Sequence, residues 1–383
     1  MRKTSKTHSS GSPRSGSRLN PSGRHTLHEI LSQPETWIET TRRFEPQAAT
    51  AEVFKNFSNT QPWLFTACGS SYYLSQTIAA QWTRLFGSPC TAVPASELLF
   101  APEETLLRAG AKQVVLISRS GKTTEVLRAA ELLQQRAGLR TLGVTCNQQS
   151  GLERLCTHTL KLPWADEKSM VMTRSFTSIL LLFQRLGARF TGDKRLESAL
   201  ESLPEKTERW LAENADKMRA FGARRSYADY VFLGQGAHGW LAQEGALKMT
   251  EMSSSYAQAY PSLEFRHGPK SIASPKTLIA FLVSEIAATE ELELAEEVKR
   301  LGATTLLVAN RVAPELHKKH DLVLELSHDG PESARLALTA IPAQLLGLAA
   351  GVRKGLDPDV PRNLTRAVVL DEGGSATSRR RSG

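Results

Sequence analysis

The chain has 383 residues, 40% of them hydrophobic, and a formal net charge of +9. That length exceeds what one hydrophobic core usually serves, so two domains are expected. The charge would suggest a polyanion binder, but Arg2, Lys3, Lys6, Arg14, Arg18 and Arg24 stand in an acid-free start and Arg379, Arg380 and Arg381 at the end, which leaves the body neutral.

The excess therefore belongs to two Ser/Gly/Arg tails, residues 1–24 and 371–383, which lack the apolar residues needed to fold. No specific nucleic-acid role is expected of them. No apolar run approaches the roughly 20 residues of a membrane span, so no membrane role is expected. The start has no apolar signal core, although an Arg/Ser-rich, acid-free segment is also the composition of an organelle transit peptide. Cys68, Cys90, Cys146 and Cys156 show no CxxC spacing. They read as buried, reduced thiols of a cytoplasmic protein, with no metal site.

In chain order, Thr26 and Glu29 have the spacing of a capping box that opens an N-terminal helix (residues 25–44). Leu27, Ile30 and Leu31 form its apolar face, and it stops before Pro34. Apolar strand-like runs then alternate with helical patterns. A first set is 63–68, 114–117, 141–146 and 159–162; a second is 230–234, 278–283, 304–308 and 322–326. Short continuous apolar runs between helix-length segments read as parallel strands of doubly wound α/β sheets.

The two sets look like one repeated unit. Val115-Leu-Ile-Ser118 with Thr124-Glu125 after it matches Phe281-Leu-Val-Ser284 with Thr289-Glu290, and Cys68-Gly69-Ser70 holds the place of Gly234-Gln235-Gly236. Two tandem domains follow, at 45–190 and 226–370, with a charged, Pro204-bearing connector at 191–225.

Three stretches carry chemistry. Ser118-Arg-Ser120-Gly-Lys-Thr123-Thr124 lies between a strand and a helix, where hydroxyls and helix N-terminal amides make an anion cradle. It lacks the P-loop spacing, so a small phosphate ester suits it better than a nucleoside triphosphate. The second copy carries Glu285, which repels an anion. Glu244, Lys248 and Glu251, four and three apart, form one stripe on a helix whose other residues want burial, so the stripe must face a cleft or pair internally. His267, in Glu264-Phe-Arg-His-Gly-Pro269, is an acid–base candidate. Gly234-Gln-Gly236-Ala-His-Gly239 has the dinucleotide GxGxxG spacing, but its repeat partner argues for a shared strand–helix turn instead.

These residues, with Cys68-Gly-Ser-Ser71-Tyr, Glu167-Lys-Ser-Met-Val-Met-Thr173-Arg-Ser-Phe-Thr177 and Pro361-Arg-Asn-Leu-Thr-Arg366, resemble tandem sugar isomerase (SIS) domain proteins over about 45–370. The likeness is to the isomerase half of glucosamine-6-phosphate synthase, and above all to the tagatose-6-phosphate/galactosamine-6-phosphate branch. It implies two tandem SIS domains and a homodimer with shared active sites. Ser71, Ser118, Ser120 and Thr123 would bind the phosphate, and Gly69, Thr173 and Arg366 the rest of the sugar. Glu251 would be the base that moves a proton between C1 and C2, His267 the ring-opening acid–base supplied across the dimer, and Glu244 and Lys248 would tune the pocket.

Arg366 stands where the synthase has a Schiff-base lysine, and arginine cannot form an imine at ordinary pH. No glutaminase segment precedes residue 45, so glutamine-dependent amination is not expected. The expected activity is aldose–ketose isomerisation of a hexose or hexosamine 6-phosphate with deamination at C2, needing no metal or cofactor. A deglycase for sugar–amine adducts and a non-catalytic sugar-phosphate regulator are the alternatives.

Overall fold

The computed structural model describes residues 22–44 and 48–370. The tails expected to be unfolded lie outside the described residues, except for residues 22–24. These three are ordered: Ser22 Oγ donates to the Leu356 carbonyl at 2.5 Å and Gly23 N to Asp357 at 2.9 Å, while Arg24 begins the first helix.

Two helices, α1 (Arg24–Leu31) and α2 (Gln33–Phe44), occupy the segment expected to hold one. Pro34 sits in the first turn of α2, where its missing N–H costs nothing. Thr26 and Glu29 do not form a capping box. Thr26 lies inside α1, and its amide and hydroxyl both donate to Asp359, at 2.7 and 2.8 Å. The Glu29 carboxylate accepts from the Lys168 and Ser169 amides instead, at 2.5 and 3.3 Å. Spacing suggested a local pair; two distant segments won both groups.

The first α/β half follows as α3 (Ala48–Asn56), β1 (Trp63–Ala67), α4 (Ser70–Phe86), β2 (Cys90–Pro94), α5 (Ala95–Phe100), α6 (Pro102–Ala109), β3 (Gln113–Ile117), α7 (Thr124–Gln134), β4 (Arg140–Thr145), α8 (Leu152–Leu155), β5 (His158–Lys161) and α9 (Arg174–Thr191). The second is β6 (Asp229–Gly234), α11 (Ala237–Ser253), β7 (Ala257–Pro261), β8 (Thr277–Leu282), α12 (Ala288–Arg300), β9 (Thr304–Ala309), α13 (Leu316–Lys319), β10 (Leu322–Glu325) and α14 (Leu336–Arg353), with α10 (Lys194–Ala223) between the halves.

Each sheet has five parallel strands, ordered β2-β1-β3-β4-β5 and β7-β6-β8-β9-β10, the same topology twice. Every expected strand is present. The edge strands β2 and β7 were not anticipated: both are mostly half-exposed, so neither carries a continuous apolar run.

The charged connector 191–225 is helical. It is the 30-residue helix α10, opened by Asp193 accepting from the Leu196 amide, with Leu196, Leu200, Leu203, Trp210, Met218 and Phe221 buried. Its charges mark a solvated face of an amphipathic helix. The span Glu332–Arg353 is, contrary to expectation, long and apolar enough to cross a membrane by length and composition, yet 94% of its apolar window is buried inside the protein. A central core helix has that same composition.

One hydrophobic core runs between the two sheets and takes in residues of α4, α9, α10, α11 and α14; two smaller cores cover the outer faces. The four cysteines are free thiols, three of them buried and Cys68 half-buried.

Asp359 caps α1 from the far end of the chain, accepting from the His25 and Thr26 amides at 3.0 and 2.7 Å. Asp359→Ala leaves these groups partly orphaned and should lower unfolding free energy by about 1–3 kcal/mol in urea titration. An unchanged midpoint would show that the contact adds nothing to stability.

Candidate active site

In a sheet of order 2-1-3-4-5 the connections leave β1 and β3 in opposite directions, which opens a crevice at their carboxyl ends. The turns that line it carry the hydroxyls singled out above. Gly69 caps α4 at φ 57° and ψ −133°, and Gly236 caps α11 at φ 58° and ψ −128°. These left-handed positions favour glycine, so the GxGxxG spacing marks the repeated turn, as its partner in the first half implied.

The turn after β3 is held from within. Ser118 is buried; its Oγ lies 3.1 Å from Thr123 Oγ1 and accepts from the Gly121 amide at 3.1 Å. Gly121 has φ +63°, and a Cβ there would stand 2.2 Å from Ser150 Oγ. Ser120 is half-buried, and its Oγ accepts from the Lys122 amide at 3.2 Å, which leaves its own proton free for a ligand. Ser71, at the start of α4, is buried with its Oγ 3.5 Å from Met172 Sδ.

Sequence reasoning missed the pair that fixes this turn. Arg119 donates to Glu167 at 2.9 Å and to the Met170 and Arg366 carbonyls at 2.8 and 3.2 Å. Glu167 is buried and also accepts from the Thr173 and Ser175 amides at 2.6 and 3.0 Å. Both residues lie inside the quoted motifs, but nothing in their spacing shows that they meet.

Two expected sugar contacts have partners within the protein. Thr173 is fully buried, its hydroxyl 3.2 Å from Glu167, so it holds the loop rather than a substrate. Arg366 pairs with Asp166, and the strand of tail beyond it lies on α7: the Thr124 amide donates to the Val368 carbonyl at 3.1 Å, and the Leu370 amide to Thr124 Oγ1 at 2.9 Å.

The stripe on α11 is assembled as its spacing implies. The Lys248 ammonium, fully buried, bonds Glu251, lies 3.4 Å from Glu244 Oε1 and donates to Ser70 Oγ of the other half at 3.0 Å. Burial works against that charge, yet the two carboxylates outweigh it and hold Lys248 above its ordinary pKa. Burial likewise pushes Glu244 up to about 7, although Lys248 opposes it. Neither Glu244 oxygen receives a well-formed hydrogen bond.

Glu251 is the open end. With Pro361 and Arg362 of the tail it lines a cavity of about 190 Å³. His267 is exposed on the loop after β7, and its ring bonds no other described residue. The structure thus joins Glu244, Lys248 and Glu251 to the start of α4, and leaves His267 outside that group.

A family model for the SIS domain matches residues 57–189 and 229–351, so the chain belongs to the SIS domain family, with two tandem copies. It is 31% identical over 373 residues to a glutamine–fructose-6-phosphate aminotransferase (isomerizing) of Pseudomonas putida, covering 90% of this chain and 58% of that protein. A Methanothermobacter thermautotrophicus protein of the same name is 28% identical over 347 residues, covering 90% and 57%. The chain therefore spans little more than half the length of the curated relatives it matches. Among solved structures, the glucosamine-6-phosphate deaminase of Thermotoga maritima is 30% identical, with TM-score 0.71 and coverage of 90% of this chain and 100% of that one. The tagatose-6-phosphate ketose/aldose isomerase of Escherichia coli shares the fold at TM-score 0.78 and 22% identity, covering 89% and 96%.

The raised Glu244 gives a pH test. Its folded-state pKa lies above the ordinary 4.5, so the folded protein binds the proton more tightly and stability falls as pH rises from about 4.5 to about 7. Glu244→Gln carries no such proton. Going from about pH 5 to about pH 8, its urea midpoint should fall less than that of the wild type. Identical falls would mean that the Glu244 proton is held no more tightly in the folded state.

Proposed function

We propose that this SIS-family chain interconverts the aldose and ketose forms of a hexose or hexosamine 6-phosphate, and releases ammonia from C2 when the substrate is the amino sugar. The observation that carries the reading is the Glu244–Lys248–Glu251 row, buried at one end, open at Glu251, and bonded through Lys248 to the helix that begins with Ser70 and Ser71. The 30% identity to a glucosamine-6-phosphate deaminase along nearly the whole chain supports the nitrogen-releasing form.

In this reading Ser120 and Ser71 take the phosphate, while Ser118 and Thr123 keep the turn in shape. The anchored phosphate holds the open-chain sugar over Glu251. Glu251 takes the C2 proton and returns it at C1, through an enediol or enolamine. With an amino sugar the product is an imine at C2; water adds to that carbon, Lys248 returns a proton to nitrogen, and ammonia leaves. The balance is hexosamine phosphate plus water giving ketose phosphate plus ammonia. His267, exposed and unpartnered within the described chain, is assigned to ring opening in the site of a second copy, which makes the active form a homodimer in the cytoplasm.

Glu251→Gln keeps shape and removes the base, so kcat should fall by about 10²–10⁴ with little change in KM. Turnover above half of wild type would remove Glu251 from the base role. Product analysis tests the nitrogen: incubation with glucosamine and galactosamine 6-phosphates should yield ketose phosphate and ammonia in equal amounts. Ketose formed only from neutral aldose phosphates would keep the isomerase and eliminate the deaminase.

A further inference from the structure

The second half keeps the crevice of its sheet but has filled the anion cradle. After β8, the Ser284 amide and hydroxyl donate to the buried Glu291 carboxylate at 2.7 and 3.0 Å, and Ser262 Oγ donates to its other oxygen at 2.5 Å. An internal carboxylate thus takes the donors that an anion would need, and Glu285 of the same turn pairs with Arg335.

At these strand ends, nonetheless, the second half opens a cleft of about 720 Å³, far larger than the cavity beside Glu251. It is lined by the turns after β6, β8 and β9, by residues 328–333 and by one face of α4 from the first half. Its charges balance: Arg84, Arg195 and Arg311 stand against Glu285, Asp329 and Glu332, with Arg84–Glu332 and Arg311–Asp329 paired across it.

Three polar atoms in this lining lack a partner: Gln81 Nε2, Gln81 Oε1 and Gln235 Oε1. Gln81 is only 5% exposed. Buried polar atoms are rarely left unsatisfied, so such a cluster calls for an occupant. The donor pattern identifies it. His328 is satisfied within the protein, its Nδ1 accepting from the Gly330 amide at 3.0 Å and its ring bonding the Ala199 backbone. The cleft therefore presents one donor, Gln81 Nε2, and two acceptors, Gln81 Oε1 and Gln235 Oε1. An anion can satisfy only the donor. Hydroxyl groups satisfy both kinds.

We propose that this cleft is a second small-molecule site, which takes an uncharged, hydroxyl-rich ligand: an unphosphorylated sugar or polyol. It is separate from the phosphate turn of the first half. Gln81 lies ten residues beyond Ser71 on α4, about 15 Å along the helix at 1.5 Å per residue.

The test is calorimetric titration of the full chain with D-glucose, D-galactose and D-glucitol as probes at millimolar concentrations. At least one should bind saturably with one site per chain. That binding should persist in Ser120→Ala and weaken about tenfold or more in both Gln81→Ala and Gln235→Ala, since a hydrogen bond is lost in each. The two glutamines sit on different elements, so a folding defect in one variant leaves the other to decide. No saturable binding of any probe, which would leave only water in the cleft, overturns the proposal. So does binding that Ser120→Ala abolishes while the two glutamine variants keep it.

Discussion

The position of the two halves depends on one buried charge. Transfer of an ammonium from water to a protein interior is unfavourable by far more than the stability of a domain unless partners surround it. Lys248 has three: Glu244 and Glu251 on its own helix and Ser70 on α4 of the other half. The carboxylates come with the spacing of α11. The hydroxyl comes only if α4 lies against α11 in this register, so satisfying Lys248 ties the halves together through these two helices. An ion pair of this kind is weak evidence for stability but a strong constraint on arrangement.

The repeat shows how two crevices of one design come to differ. Both halves have the same strand order and the same glycine-capped turn, so each offers a turn of amides and hydroxyls at its strand ends. In the first, Ser118 and Thr123 bond each other and leave Ser120 outward. In the second, Glu291 fills the turn from inside the protein. The duplication thus retains the architecture, while a single carboxylate takes the donors of the second turn.

Continuous apolar runs made the central strands legible, and a hydroxyl-rich stretch between strand and helix made the 118–123 turn legible, because these signals are local. What escaped depends on long-range pairing. The edge strands β2 and β7 face solvent on much of their surface and so carry no apolar run. Thr26 and Glu29 have the spacing of a capping box, yet Asp359 and the 168–169 turn outcompete it. Thr173 reads as a substrate hydroxyl until Glu167 is seen to use it, and Arg366 as a substrate cation until Asp166 is seen to pair with it. A buried carboxylate such as Glu167 gives no signal in one sequence, because its partner Arg119 lies 48 residues away.

The segment from Gly355 to Leu370 is where these long-range pairings converge. Its Asp359 side chain caps α1, and its Asp359 carbonyl accepts from the Met170 amide at 3.0 Å. Pro361 and Arg362 wall the cavity at Glu251, the Arg366 carbonyl accepts from Arg119, and Val368 takes the first amide of α7. One strap therefore touches Glu251, the Arg119 guanidinium that holds the 118–123 turn, and the helix whose N-terminus faces that turn. Helix N-terminal amides attract anions, and the strap leaves the Ser120 hydroxyl facing outward while engaging the Thr124 amide. It shapes the first-half crevice from the far end of the chain, and neither sheet alone would complete it.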